Sequence, residues 1–276
     1  MYGTVWIVAT PLGNLGDFSP RARQTLETAD VVLAEDTRRA GHLLQLAGIG
    51  GKRLLSLHEH NEDARIADVL ELLGQGLQVA VVSDAGTPLI ADPGYRLVAA
   101  CRKAGVPVVP VPGPCAPIAA LMASGLPPYP FVFLGFLPRK AGEAKALFGT
   151  YASVPATLVF FERKNRVSAT LALASEILGE REFCLARELT KKHEQFIYGR
   201  LGQAPEMEGE LLGEVTVVVG PPVAIADTEE TRVRDLARAM IRDGMRPKAA
   251  ARAVRERTTG WTAKRIYELI VEQDSE

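Results

Sequence analysis

Val79-Ala80-Val81-Val82, running straight into Ser83-Asp84-Ala85-Gly86-Thr87-Pro88-Leu89-Ile90-Ala91-Asp92-Pro93-Gly94, fixes the architecture of this chain. The first four residues are all apolar, with no polar residue alternating between them. A strand of that kind is covered on both faces, as in a parallel sheet flanked by helices. The twelve residues from Ser83 to Gly94 make a long strand-to-helix connection, and long loops in compact domains tend to carry function. In an open α/β sheet ligands lie beyond the carboxyl ends of the strands, which is where this loop falls. Its Asp84 stands among small residues, so the carboxylate can accept hydrogen bonds from a ribose or an amino group while the backbone comes close.

The same grammar extends to either side. Strands are predicted at Thr4–Ala9, Asp30–Ala34, Leu54–Leu57, Gln78–Ser83 and Val106–Val111. Ser19 is placed as an N-cap before Pro20 at the first helical position, and Asp92-Pro93 is read as the same device. Asn61 is read as the cap of a helix on which Ile66, Val69, Leu70 and Leu73 recur at helical spacing. The β-α-β-α order implies an open α/β sheet. Around Pro112–Pro130 the composition shifts to Pro, Gly and Ala, and a domain boundary is expected there. Beyond it strands are predicted at Phe131–Gly135, Thr157–Phe161, Phe183–Arg187, Gln195–Gly199 and Val215–Gly220. The last three have only one long helical stretch near them, Arg166–Leu178, so a mixed sheet with antiparallel pairs is expected. The fold class is α/β: residues 1–116 with a parallel-rich sheet, 117–222 with a mixed sheet, and a small helical tail at 228–276.

Composition agrees with a folded chain of two domains. The 276 residues are 47% hydrophobic and 24% charged, with a net charge of −1, which excludes a largely disordered protein. The 25 glycines and 18 prolines follow no fixed period, excluding collagen and solenoids and pointing to many tight turns. No apolar run nears the roughly 18 residues of a membrane span. Met1-Tyr2-Gly3-Thr4 enters a strand without a basic leader, so no signal peptide is expected. Cys101, Cys115 and Cys184 are odd in number and far apart, which disfavours disulfides and structural zinc and suits a reducing cytoplasm. His58 and His60 share a face if Leu54–His60 is extended, as a metal site would require. With no third ligand evident, the polar end of a strand is the simpler reading, and no metal is expected.

The tail is different in character. Thr228–Asp243, Pro247–Arg257 and Thr262–Gln273 read as three short helices broken at Gly244 and Gly260. From Arg232 to Arg265 there are eleven Lys and Arg against three acidic residues. A positive face of that density attracts polyanions by counterion release, and Trp261 adds a stacking surface. The alternative is a solvated, arginine-rich face on a small bundle.

Three further loops follow predicted strands. Thr10-Pro11-Leu12-Gly13-Asn14-Leu15-Gly16-Asp17 contains glycines but is not G-x-G-x-x-G, and no Walker A sequence occurs. In Glu35-Asp36-Thr37-Arg38-Arg39 either Asp36 or Thr37 caps a helix or some of the charges face a cleft. Pro112-Gly113-Pro114-Cys115-Ala116 is a rigid small-residue turn into a helix. Taken together, these loops resemble the tetrapyrrole-methylase-like (class III) S-adenosylmethionine methyltransferases. A-T-P-L-G-N-L, A-E-D-T-R, H-E-H-N-E, S-D-A-G-T-P-L-I-A-D-P-G-Y, P-G-P-C-A and L-A-R-E-L-T-K are similar, more narrowly, to the ribosomal RNA small subunit methyltransferase I family. The S-D-A-G-T-P run is the most specific of them, and the likeness covers essentially the whole chain, helix-turn-helix-like tail included.

That resemblance implies S-adenosyl-L-methionine folded into a cleft between the two α/β domains, and methylation of the ribose 2′-oxygen of one cytidine of 16S rRNA, in the decoding region of the small subunit. By the same resemblance Asp84, Ala85 and Gly86 line the ribose and methionine part, with Leu89 and Ile90 on the same loop. Ala85-Gly86 replaces the proline of the superfamily's usual G-D-P. Cys115 and Ala116 match the positions after the superfamily's P-G, Phe161 and Ala186 face the cofactor from second-domain strands, and Val215-Thr216 approaches the adenine. Pro11 lies where the superfamily has a G-x-G-P-G-like turn, and T-P-L-G-N-L leaves more room there for RNA than for a macrocycle.

Methyl transfer needs oxygen, methyl carbon and sulfur in line, and a base to remove the hydroxyl proton. Candidate bases at strand ends and loops are Glu35, Asp36, His58, His60, Glu162, Glu188 and Lys191, with His60 and Glu35 placed first. For Glu188 the plain alternative is an ion pair with Arg187 or Lys191. RNA contacts are expected from Arg38, Arg39, Arg139, Lys140, Arg163, Lys164, Lys191 and Lys192, and in the tail from Arg252, Arg255, Lys264 and Arg265. A homodimer acting on 16S rRNA within the 30S subunit is expected, with the tail of one chain gripping RNA beside the other's cleft. The competing readings are a tetrapyrrole-type small-molecule methylase and a non-catalytic RNA-binding module.

Overall fold

A computed structural model describes residues 2–58, 60–203, 213–222, 228–258 and 260–273. Glu59, in the H-E-H-N-E run, lies outside the described residues. Two compact units divide the chain, Met1–Pro222 and Val223–Glu276.

In the first unit, β1 (Val5–Val8), β2 (Val31–Ala34), β3 (Arg53–Ser56), β4 (Val79–Val82) and β5 (Val108–Val111) form one sheet in the order β3-β2-β4-β1-β5. Every pairing in it is parallel. The unbroken apolar strands have a direct cause, because alternate residues serve two cores. Val32, Ala34, Ala80 and Val82 face α1 (Pro20–Thr28) and α2 (Thr37–Leu46). Val31, Leu33, Val79 and Val81 face α3 (Glu62–Gly74) and α4 (Tyr95–Lys103). Each fully buried Val or Leu side chain contributes about 1.5–3 kcal/mol, so a polar residue on either face would be costly.

Helix starts divide into the expected and the corrected. The Ser19 hydroxyl accepts the Ala22 amide at 3.1 Å, capping α1 ahead of Pro20. Asn61 occupies the cap position of α3 but makes no cap hydrogen bond. Its side chain instead accepts the His58 amide at 2.8 Å and donates to the Ser56 carbonyl at 3.2 Å. Asp92-Pro93 does not start α4, which begins at Tyr95 behind Gly94. Gly94 has φ +121°, a region closed to side chains, and the cap comes from elsewhere in the sequence. The buried Glu62 carboxylate accepts the amides of Gly94, Arg96 and Leu97 at 3.2, 3.0 and 3.3 Å.

β6 (Phe131–Phe136), β7 (Thr157–Arg163), β8 (Glu182–Arg187), β9 (Gln195–Arg200) and β10 (Glu214–Val219) form the second sheet, ordered β6-β7-β10-β8-β9. Only β6 and β7 pair parallel; the rest is antiparallel, so the sheet is mixed as expected. One face packs on α6 (Ala141–Tyr151), a helix the sequence reading passed over, and on α7 (Val167–Leu178), through Phe148, Leu171, Phe160 and Leu185. The other face, with Val159, Ala186 and Val218, receives Ala120 and Leu121 of α5 (Ala116–Ala123) together with Leu12 and Leu189. Arg181, fully buried, donates to the carbonyls of Leu178, Gly220 and Ala152, and burial lowers its pKa. Cys101 and Cys184 are buried, which pushes both thiols up to about 11, while Cys115 is only partly covered.

The second unit comprises α8 (Glu230–Arg242), α9 (Pro247–Arg255) and α10 (Ala263–Gln273) around Val233, Met240, Ala250, Val254 and Ile266. Trp261 is not an open stacking platform: it packs against this core, donates from Nε1 to the Thr228 carbonyl, and carries the Arg265 guanidinium 4.5 Å from its ring centroid. Among the described residues no helix is long and apolar enough to cross a membrane.

Candidate active site

The loops after β1, β4 and β5 are stitched to one another. Thr10 and Gly86 exchange backbone hydrogen bonds at 2.8 and 3.1 Å, and the Thr87 hydroxyl donates to the Pro114 carbonyl at 2.8 Å. Gly86 has φ +79°, and a Cβ there would come within 2.9 Å of the Leu12 side chain. Leu89 and Ala91 also sit in the left-handed region, at φ 69° and 71°. Non-glycine residues held that way cost on the order of 1–3 kcal/mol each and persist where the surroundings over-determine them. Leu89 packs its side chain on the core that faces α3 and α4, leaving Ile90 exposed.

Asp84 joins this frame to the loop after β2. Its Oδ1 accepts the Asp36 amide at 3.3 Å and its Oδ2 pairs with Arg39 at 3.0 Å. Asp36 caps α2 by accepting the Arg38 amide at 2.9 Å, and it also pairs with the Arg38 guanidinium at 2.7 Å. Those hydrogen bonds hold the Asp36 carboxyl well below the usual carboxylate range and raise the Arg38 pKa.

Asp92, which does not cap α4, is partly buried. Burial, followed by the charges of Glu35, Asp84 and Glu214, pushes its carboxyl up to about 7, against a hydrogen bond from Ser83 that lowers it. Carboxylates from three segments therefore act on Asp92 by charge: Glu35 after β2, Asp84 from the same loop, and Glu214 from the second sheet. The sequence reading had Glu35 and Asp84 among them. It missed Asp92, whose Asp-Pro pair imitates a helix cap, and Glu214, for which the sequence carries no local signal.

The second sheet supplies the other wall. Phe161, Thr216 and Ala186 lie in one row across β7, β10 and β8, with Thr216 paired to both. Cys115 and Ala116 open α5 on the same side, and Ala116 packs with Ala186 in one cluster. Val215 is one residue out of phase: its side chain packs in the opposite core with Phe160 and Leu185, so only its backbone is on the near face. The turn after β8 folds onto the first loop. Lys191 pairs with Glu188 at 2.9 Å, and its aliphatic stem lies so close to Gly13 that a Cβ there would be 2.4 Å from Lys191 Cγ.

Other expected residues lie apart from this assembly. Glu162 is buried and accepts the Thr170 hydroxyl at 2.7 Å and the Arg163 amide at 2.8 Å, which removes it as a base. β3 ends at Ser56, so His58 and His60 do not share a strand face. His60 is exposed on a turn, its ring 6.2 Å from that of His58. No cluster of His, Cys, Asp and Glu suited to a metal occurs among the described residues. Arg139, Lys140 and Lys192 are exposed on the first unit, Lys140 paired with Glu143, and Arg252, Arg255, Lys264 and Arg265 are exposed on the second.

A cleft of about 600 Å³ opens beside Asp84. Pro11, Gly13 and Leu15 form one side. α2 forms the other through Arg38, Arg39, His42, Leu43 and Leu46. The sequence reading placed Pro11 and Asp84 with the cofactor and Arg38 and Arg39 with RNA; the structure brings all four to one cleft. His42, Leu43 and Leu46 were missed, since their helical spacing marks a face without saying what the face lines.

The chain is similar to known proteins over most of its length. The family model described as Tetrapyrrole (Corrin/Porphyrin) Methylases matches residues 4–205. A ribosomal RNA small subunit methyltransferase I of Micromonospora olivasterospora is 44% identical, the match covering 97% of this chain and 86% of the relative. The protein of the same name from Synechocystis sp. is 41% identical, with 99% of each chain covered. Among solved structures, the methyltransferase CobJ has a TM-score of 0.62 at 20% identity, covering 82% of this chain and 96% of its own. Uroporphyrin-III C-methyl transferase from Thermus thermophilus, complexed with S-adenyl homocysteine, has a TM-score of 0.58 at 20% identity, covering 79% and 97%.

Proposed function

Since the chain belongs to the tetrapyrrole methylase family and, within it, to the ribosomal RNA small subunit methyltransferase I family, we propose that it transfers a methyl group from S-adenosyl-L-methionine to the ribose 2′-oxygen of a cytidine in 16S rRNA. One observation carries this reading: Asp84, whose charge acts on the buried carboxyl of Asp92, also lines the cleft rimmed by Arg38 and Arg39. Glu35, Asp84, Asp92 and Glu214 suit a donor bearing a positive sulfonium and an ammonium group. The close-approach glycine at 86 and the row Phe161, Thr216 and Ala186 suit the remainder of that molecule. Arg38, Arg39 and His42 suit a polyanionic acceptor.

The donor supplies a methyl carbon already activated by its cationic sulfur. What remains for the protein is alignment, which can supply on the order of 7–11 kcal/mol, and removal of one proton. Asp92 is the group suited to that proton, because a carboxylate with a pKa near 7 is half ionised at neutrality and basic enough to accept it. Glu35 serves by charge, keeping the proton affinity of Asp92 high. His60, on its exposed turn, is not needed for this step.

The acceptor is 16S rRNA within the 30S subunit, encountered in the cytoplasm where subunits assemble. The enzyme acts as a homodimer, the basic tail of one chain gripping RNA beside the cleft of the other. Incubating labelled S-adenosylmethionine with unmodified 30S subunits, free 16S rRNA and a tetrapyrrole precursor tests the proposal. Label in ribose is the expected result; label in the macrocycle, or RNA binding without label, overturns it.

A further inference from the structure

The cleft between the first loop and α2 has a composition that acid-base chemistry does not explain. Leu15 and Leu46 are 44% and 55% exposed, and with Leu43 they give it apolar walls. Leucines left facing water around a concavity, rather than scattered singly, mark a binding surface. Its volume, about 600 Å³, lies within the range of pockets that bury small ligands. The rim is cationic and fixed in place. Arg38 is locked onto Asp36 and Arg39 onto Asp84, yet the two side chains remain 89% and 70% exposed. Apolar walls under a held pair of guanidinium groups complement a ligand with a flat apolar face and an attached anion. An RNA base swung out of its stack, with its phosphate, has that form.

We infer that this cleft seats one unstacked nucleotide of the substrate strand, its base against Leu15, Leu43 and Leu46 and its phosphate at Arg38 and Arg39. The inference rests on the function proposed above and adds to it the place where the acceptor is held. Because Asp84 also lines the cleft, a nucleotide seated here has its sugar on the side of the Asp84 loop that carries Asp92, and the cleft selects for flexible single-stranded RNA over a paired helix.

The test is steady-state methylation of 30S subunits by the full-length protein and the exposed-site, charge-neutral double variant Leu15→Ser/Leu46→Ser, with calorimetric binding of S-adenosylhomocysteine alongside. Loss of the apolar walls should lower kcat/KM for the subunit by about tenfold or more while cofactor affinity stays within about twofold. Leu46→Phe, which keeps an apolar wall, should lose less of kcat/KM than Leu46→Ser. If the double variant methylates as well as wild type, or loses cofactor affinity in parallel, the nucleotide seat is wrong. If wild type itself places no label in rRNA, the proposed function fails, a separate outcome.

Discussion

Asp92 shows how burial and neighbouring charge convert an ordinary carboxyl into a group poised near neutrality. Asp92→Asn should lower kcat by about a hundredfold or more, the usual worth of a positioned base. The wild-type rate should rise with pH through about 7 and level off, while the variant's residual rate stays flat. The same residue has a stability consequence of fixed sign. Its folded pKa lies above the unfolded value, so the folded protein keeps a proton that the unfolded chain releases. The contribution is present in acid and is lost as pH rises through about 7. Urea titrations should therefore find Asp92→Asn more stable than wild type at about pH 8, by about 1 kcal/mol once solvent screening is allowed for, with the gap closing near pH 4. Sequence alone mistook this residue because Asp-Pro ahead of an apolar run is also how a helix begins. Only the φ of Gly94 and the reach of Glu62 reveal that the cap lies elsewhere. The place of Asp84 at the ligand edge of the sheet, by contrast, was legible from a long loop after a buried strand, whereas its partners, the Asp36 amide and Arg39, were not.

Elements were legible where one short run carries its own pattern. All ten strands among the described residues fall within two residues of their predicted limits, because apolar β-rich runs bounded by turn residues need no distant information. α6 was passed over, with Gly142 and Gly149 in its body and no side chain capping its start. Facing was harder than existence: Thr216 and Val215 are neighbours in sequence yet serve opposite sides of the second sheet. At this scale Glu62 is the revealing case, an acid on α3 that satisfies three amides at the start of α4. Glu62→Ala should cost about 2–3 kcal/mol by leaving buried donors without a partner. Glu62→Gln, whose amide oxygen still accepts, should cost less. Denaturant midpoints for the two variants check the order, and equal losses would mean that the cap is not what matters.

For the molecule entire, the division at Pro222 separates the pocket from much of the positive charge. Each unit has its own apolar core, so a chain ending at Pro222 should still fold and bind S-adenosylhomocysteine as the full protein does. It should bind rRNA more weakly and with a shallower dependence on salt, since fewer phosphate contacts release fewer counterions. Filter binding across a salt series measures both; unchanged affinity would assign the tail another task. The basic tail and its three helices were readable from charge and spacing, but the covering of Trp261 by Arg265 was not, because it depends on how α10 packs. Finally, the uneven cover over the three thiols gives the protein a built-in reporter. Alkylating reagents have one accessible address, Cys115, at the mouth of α5 where the donor is expected to lie. Mass spectrometry should find a single adduct there, formed more slowly once S-adenosylhomocysteine is added, so that occupancy can be followed without any engineered label.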